Sequence, residues 1–395
     1  MADLVFAFDP VLDRPLPAPE AAPPAVAETI SAAVTSAFEA AVGAAADGRA
    51  AALVILGRVL DPLRASPAQA AVLRGHVVRL ADAGCRTIVV VDTTPACHDL
   101  ARMLGEPRGL SFVTPLAGCE FDVRGIAVEI VSAHGPLAAV VPPAGAGGLR
   151  RRIVVGCDAG GGADPFMPPA DAAPAWAQPG SFWVWGSRRP RALPPGVHRL
   201  ASLQARDATE AGPGACATLA LLDRSESGPA GPLSDWRGSW REVPTHGVAW
   251  RTLSIESPAG GDEELATAIW SALESRPESA AGPLEVVRVS VACGTSVARR
   301  VRVAEIAAET LARLRQLHDP KPTRRLWVRE VVADPHESLV PLGHARSGGR
   351  PGTTTSFSSA LADIVAELEQ SPAPALAPLE AREAGWLALE LVESG

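Results

Sequence analysis

The sequence predicts an α/β fold with a sheet-rich middle and a small second α/β unit. Three observations predict it. The first hundred residues alternate short apolar runs with helical patterns, the middle carries many short strands at close spacing, and a β-α-β-α-β pattern returns near residue 245.

The elements follow in order. Leu4–Phe8 is a first apolar strand, and the proline-rich "PLPAPEAAPP" after it reads as extended chain. Val26–Ala46 is an alanine-rich helix. Ala51–Leu56, closed by Gly57, is a run apolar enough for a strand buried on both faces. Ser66 and Pro67 start a second helix as N-cap and N1 residue, Val72, Val77, Leu80 and Ala81 form its stripe, and Gly84 ends it. Arg86–Val91 is the third buried strand. After Gly109 come "LSFVTP", "CEFDVRG", "AVEIVSAHG", "RRIVVGCD", "SFWVWGS", "GVHRLASL" and "ACATLALLD", each of strand length. Residues 141–149 and 158–181 are loop-like by proline and glycine content. From 243 the pattern is strand ("VAWRTLSIE"), helix (Glu263–Ser275), strand ("LEVVRVSVAC"), helix (Val303–Leu317), strand ("RRLWVREVV"). The expected division is 1–242, 243–335 and a flexible linker with helical tail at 336–395, in which Ser358–Leu368 is one amphipathic helix.

Composition limits the function classes. The 395 residues are 47% hydrophobic with a net charge of −8, which suits a soluble protein without global attraction to nucleic acid. No apolar run reads as a membrane span, and the start lacks a signal peptide's basic region, so the expected location is cytoplasmic. The six cysteines are scattered without a CxxC pair and read as reduced. Arginine supplies the positive charge, with Lys321 the one lysine and no tyrosine at all; with the alanine, glycine and proline excess this reads as coding bias of a GC-rich genome. No G-x-S-x-G elbow and no zinc-finger spacing are present. "GGRPGTTTS" lacks the lysine and the leading strand of a phosphate-cradling loop.

The strand ends carry the chemistry. "FAFDPVLDRPL" delivers Asp9 at the end of a buried strand, a common way to place a metal-ligating carboxylate. A histidine two residues on would complete a pair, but that position holds Val11. Arg58 follows Gly57 after the second strand, Asp92 and Thr93 follow the third, Cys157 closes "RRIVVGC", and Ser187 to Arg189 follow "SFWVWG".

Taken in order, these stretches resemble the SbcD/YhaO-type DNA-repair exonuclease subunits of the calcineurin-like metallophosphoesterases. "FDPVLDRPL" is similar to the first family motif, Asp-x-His followed by Leu-Asp-Arg-Pro-Leu. "VILGRVLDPLRASPAQAAVLRGHVVRLADAGCRTIVVVD" resembles the second and third motifs with the helix between them. "SFWVWGSRRPRAL" sits where the family has a Gly-His-x-His turn, and "LASLQARDATEAGPGACATLALLD" resembles its Pro-Gly-Ser-Leu-Gln-Gly-Arg-Asp…Glu-x-Gly-Pro-x-Gly stretch. "VPTHGVAWRTLSIE" and "RRLWVREVVAD" resemble the opening and last strand of the family's capping domain. The likeness runs over roughly residues 4–335.

The resemblance implies a metallophosphoesterase-type two-sheet sandwich with helices on both outer faces, plus a small α/β capping domain. It also implies a two-metal phosphodiesterase site, and there this sequence departs from the pattern. Asp9 is kept, but Val11 replaces the histidine and Arg58 replaces the bridging aspartate. Asp92 and Thr93 stand where Gly-Asn-His-Asp supplies ligands, Cys157 stands near a ligand histidine, and Ser187 and Arg189 replace the last pair. A guanidinium cannot coordinate a cation. The expectation is therefore a vestigial site, no metal, and a non-catalytic or strongly impaired relative: a pseudoenzyme acting as a DNA-repair scaffold or binding subunit. The resemblance implies an SMC-like coiled-coil ATPase partner, docked through the C-terminal region, with Ser358–Leu368 the candidate docking helix. DNA is a further expected partner, a membrane is not, and homodimerisation is left open.

The alternative is an active Mn- or Mg-dependent exonuclease or phosphodiesterase using Asp9, Asp92, His134 and Cys157. Arg188, Arg189 and Arg191 form a basic cluster in a turn; a solvated turn is the ordinary reading of such a cluster, and contact with a phosphate backbone is the alternative. Asp9 and Arg58 are expected to pair across the vacated site. His98 and Asp99 echo a His-Asp ligand pair, but at a helix start such residues ordinarily cap or face solvent. Trp176, Trp183 and Trp185 suit core packing better than base stacking.

Overall fold

The computed structural model describes residues 2–19, 21–133, 151–158, 181–188, 193, 196–207, 210, 214–221, 238–256, 262–274, 284–292, 309, 311–312 and 326–334. The chain divides into two units. One holds residues 1–250 with 282–285, and the other holds 251–281 and 286–395.

The first unit is a two-sheet sandwich. Its six-stranded sheet has the order β11-β10-β1-β2-β3-β4. β1 (Leu4–Phe8), β2 (Ala52–Leu56), β3 (Arg86–Val90) and β4 (Leu110–Val113) run parallel, with Phe8 opposite Leu56 at the end of the central pair. β10 (Ala215–Leu221) returns antiparallel on β1, and β11 (Gly238–Pro244) pairs antiparallel with it. Every residue of β1 and β2 is buried, because both faces of this sheet are covered.

One face is covered by helices α1 (Pro24–Asp47), α2 (Pro67–Asp82) and α3 (Thr94–Leu104). β1 to β4 are laid down in one direction, so each crossover lands on the same side. Phe38, Leu73, Val77, Leu80, Leu100 and Leu104 pack there on Val5, Ala7, Leu53, Ile55 and Val89. Helices on both outer faces were expected; among the described residues all three lie on this one. By length and composition α1 is apolar enough to cross a membrane, contrary to the composition reading, but in the fold Ile30, Val34, Ala37, Phe38 and Ala41 of α1 are buried.

The alternate residues of the same strands, Leu4, Phe6, Phe8, Val54, Leu56 and Ile88, meet the second sheet. That sheet has the order β5-β6-β7-β8-β9. β5 (Cys119–Val123) and β6 (Ile126–Ser132) form a hairpin, and β7 (Arg151–Cys157), β8 (Ser181–Gly186) and β9 (Val197–Leu200) continue parallel to β6. The two hairpin turn residues, Arg124 and Gly125, both have positive φ (52° and 78°), as the right-handed strand twist requires of a two-residue loop. Arg124 then reaches the buried Asp3 at the start of β1 and ties the lower ends of the two sheets. The fold class read from the sequence, an α/β sandwich of two sheets flanked by helices, is the one observed.

The second unit has its own core. Its three-stranded sheet is ordered β12-β13-β14, from β12 (Val248–Glu256), β13 (Leu284–Ala292) and β14 (Leu326–Asp334). Leu265, Ile269 and Leu273 lie at four-residue spacing on α4 (Asp262–Glu274) and pack on Val287, Val289, Val291 and Val328. The anticipated Ser358–Leu368 helix and nearly all of Val303–Leu317 lie outside the described residues.

Candidate functional site

The parallel strands of both sheets end on the same side, and their first loop residues meet there. Asp9 leaves β1, Arg58 follows β2, Asp92 follows β3, Cys157 ends β7 and Ser187 follows β8. Side-chain contacts cross here from the strand ends of one sheet to those of the other. Arg188 donates to Asp9 Oδ2 through both Nε and Nη2, and the Cys157 thiol faces Asp92 Oδ1 at 3.9 Å.

Asp9 is 7% exposed and sits at φ 53°, and Val11 sits at φ 41°, a rare conformation for a β-branched residue. The surroundings hold this strained loop firmly. The amides of Asp9, Val11 and Leu12 donate to the carbonyls of Leu56, Arg58 and Val59 at 2.9–3.0 Å, so the loop after β1 is laced to the loop after β2. Arg206 clamps it from the other side, Nη1 donating to Arg14 O (3.1 Å) and Nη2 to Val11 O (3.3 Å). Asp13 accepts the Asp61 amide at 3.1 Å, and Arg14 lies 3.6 Å from the Asp61 carboxylate. The Leu-Asp-Arg-Pro-Leu exit is thus a fastening between two loops.

Glu210 completes the cluster, accepting from the Arg206 amide (3.0 Å) and the Ser202 hydroxyl (3.2 Å). Burial pushes its carboxyl pKa up, against the Arg206 amide and the Arg188 charge, which favour ionisation. Burial pulls the Arg206 pKa down, Asp9 raises it and Arg188 lowers it further. Arg206 and Glu210 were quoted in the sequence only as part of a family stretch. The signal that marks them as site residues is a short charged run, Arg206, Asp207 and Glu210, in an otherwise uncharged segment.

The structure corrects one expected pairing. Arg58 is exposed, and among the described residues it makes no ion pair with Asp9; Arg188 takes that place. The register explains it: Phe8 lies opposite Leu56, and beyond it the backbone turns at Gly57 (φ 76°), while Arg188 comes from the facing sheet. Thr93 caps α3, its hydroxyl accepting the Ala96 amide at 3.3 Å. Asp99 pairs with Arg102 at 3.7 Å, and His98 is exposed on α3. Ser187 is fully buried and donates to Asp158 Oδ2 at 2.5 Å, while Trp185 Nε1 donates to Asp158 Oδ1 at 2.9 Å. His134, Arg189, Arg191 and Trp176 lie outside the described residues.

Two ions held for phosphodiester hydrolysis would need several oxygen and nitrogen donors converging on shared points. Among the described residues no three His, Cys, Asp or Glu side chains form such a group. Asp9 is engaged by a guanidinium and Asp158 by an indole and a hydroxyl. A separate open pocket of about 590 Å³ lies beside α3 and β4, lined among others by Arg86, Cys97, His98, Cys119 and Glu120. Burial raises the pKa of both thiols.

The sequence matches no protein-family model and no curated protein. Among solved structures, the protein TT1561 of Thermus thermophilus is similar over 61% of this chain and 99% of its own length, at 12% identity and a TM-score of 0.31.

Proposed function

We propose that this chain is a non-catalytic or strongly impaired relative of SbcD/YhaO-type exonuclease subunits. It serves as a binding or scaffold subunit in cytoplasmic DNA repair beside an SMC-like coiled-coil ATPase. The motif order of the sequence supports the kinship, and the two-sheet sandwich agrees with it. One observation carries the loss of chemistry: Arg188 holds the carboxylate of the first motif.

The test is a phosphodiester assay on linear duplex DNA with excess Mn²⁺. The expected outcome is no turnover above that of Asp9→Ala. Turnover that disappears in Asp9→Ala would overturn the reading. DNA affinity measured against salt tests the binding role; a steep fall is expected if phosphates are contacted. Co-purification with a coiled-coil ATPase tests the partner.

The approach of the Cys157 thiol to Asp92 favours a second reading, in which Asp9, Asp92, Cys157 and His134 hold Mn or Mg for hydrolysis. The same assay decides between the two.

A further inference from the structure

We infer that Arg188 is the built-in counter-cation of Asp9 and that its fixed charge keeps divalent ions out of the strand-end site. This rests on the non-catalytic reading and names what replaced the ions. A carboxylate as buried as Asp9, 7% exposed, needs a positive partner. Arg188 supplies it on Oδ2, and the Arg206 guanidinium adds a second positive charge that Asp9 feels. A guanidinium stays protonated at any physiological pH and has no lone pair to give a metal. A dication approaching Asp9 would have to displace Arg188 and sit beside Arg206.

The backbone fixes this arrangement. Asp9 and Val11 are held at positive φ by the bonds to Leu56 and Arg58, and Arg206 grips the Val11 and Arg14 carbonyls. The backbone that carries the carboxylate is therefore fixed in place. The partner of Asp9 comes from the facing sheet, so the pair also bonds the two sheets where their strands end. The Arg188 side chain is 42% exposed, so solvent and ions reach it in the folded protein.

The experiment is a chemical rescue on the full chain. Arg188→Ala strands the Asp9 charge and lowers Tm by about 5 °C. Millimolar Mn²⁺ is expected to restore at least half of that loss. The wild type, Arg188→Lys and the Asp9→Asn/Arg188→Ala double variant should show no Mn²⁺-dependent shift in Tm. Should Arg188→Ala not fold, Arg188→Gln keeps the bulk and removes the charge. Mn²⁺ electron paramagnetic resonance gives an independent readout, the wild type leaving the free-ion spectrum unchanged. An equal Mn²⁺ response in wild type and Arg188→Ala overturns the inference. So does stoichiometric Mn²⁺ on the wild type; if that ion supports no turnover, the non-catalytic reading stands while this inference falls. Turnover with it, lost in Asp9→Ala, overturns both.

Discussion

Glu210 holds its proton more tightly in the fold than in the unfolded chain, because burial disfavours its charge. The sign follows from linkage. A raised folded pKa adds stability that is fully present below the ordinary value of 4.5 and is lost as pH rises through the folded value. Glu210→Gln keeps an acceptor for the Arg206 amide and cannot ionise. Its stability relative to wild type should therefore improve as pH rises from 4.5, measured by urea unfolding across that range. A difference that does not change with pH would place the burial cost elsewhere. At this scale the sequence was only half legible. Asp9 was visible at the end of its strand, but its partner lies 179 residues away. Which strand-end residues meet depends on how two sheets stack, and no local pattern encodes that. Arg58 was the natural guess because it and Asp9 stand at positions that face the same metals in the pattern the sequence resembles, yet the contact runs between sheets.

Elements were far more legible, because their signals are local. β1, β2 and β3 showed as continuous apolar runs, which is what burial on both faces demands. The start of α2 was readable to the residue. Ser66 accepts the Gln69 amide at 3.3 Å, and Gln69 Oε1 accepts the Ser66 amide at 2.8 Å, a reciprocal capping box. Ser66→Ala should cost about 1 kcal/mol of stability, read as a lower midpoint in denaturant with an unchanged slope. The strand β11 escaped notice. Its sequence, GSWREVP, interrupts the apolar pattern with Arg241 and Glu242, since it closes the edge of the sheet and its polar side chains face solvent. Thr93 was read as a relic of a ligand position, and it is also the cap that starts α3.

At the scale of the whole molecule, small residues set how closely the two sheets approach. A Cβ built on Gly186, at the end of β8, would lie 2.4 Å from the Phe8 ring at the end of β1. Phe8 is buried in the core between the sheets and cannot move aside cheaply. Gly186→Ala should therefore destabilise by about 2 kcal/mol. Because Arg188 follows two residues later, it should also loosen the Asp9 pair, visible as faster amide hydrogen exchange at Asp9 and Val11. An unchanged exchange rate would mean that the loop and the core are uncoupled.

The segment that carries Arg206 has another buried polar side chain, Gln204. Its Oε1 accepts from the amides of Gly247 (3.1 Å) and Val248 (3.3 Å), and its Nε2 donates to the carbonyls of Val248 (2.7 Å) and Ala205 (2.9 Å). Toward Val248, then, one side-chain amide behaves like a peptide group of a neighbouring strand, giving and taking on the same residue. It is a rung of β-ladder supplied without a strand. Glutamate has nearly the same shape but no hydrogen to give, so only an amide can play this part. Four residues, 203 to 206, thereby fasten the loop after β1 at one end and the Gly247–Val248 backbone of the same unit at the other, like a single stitch through two layers of cloth.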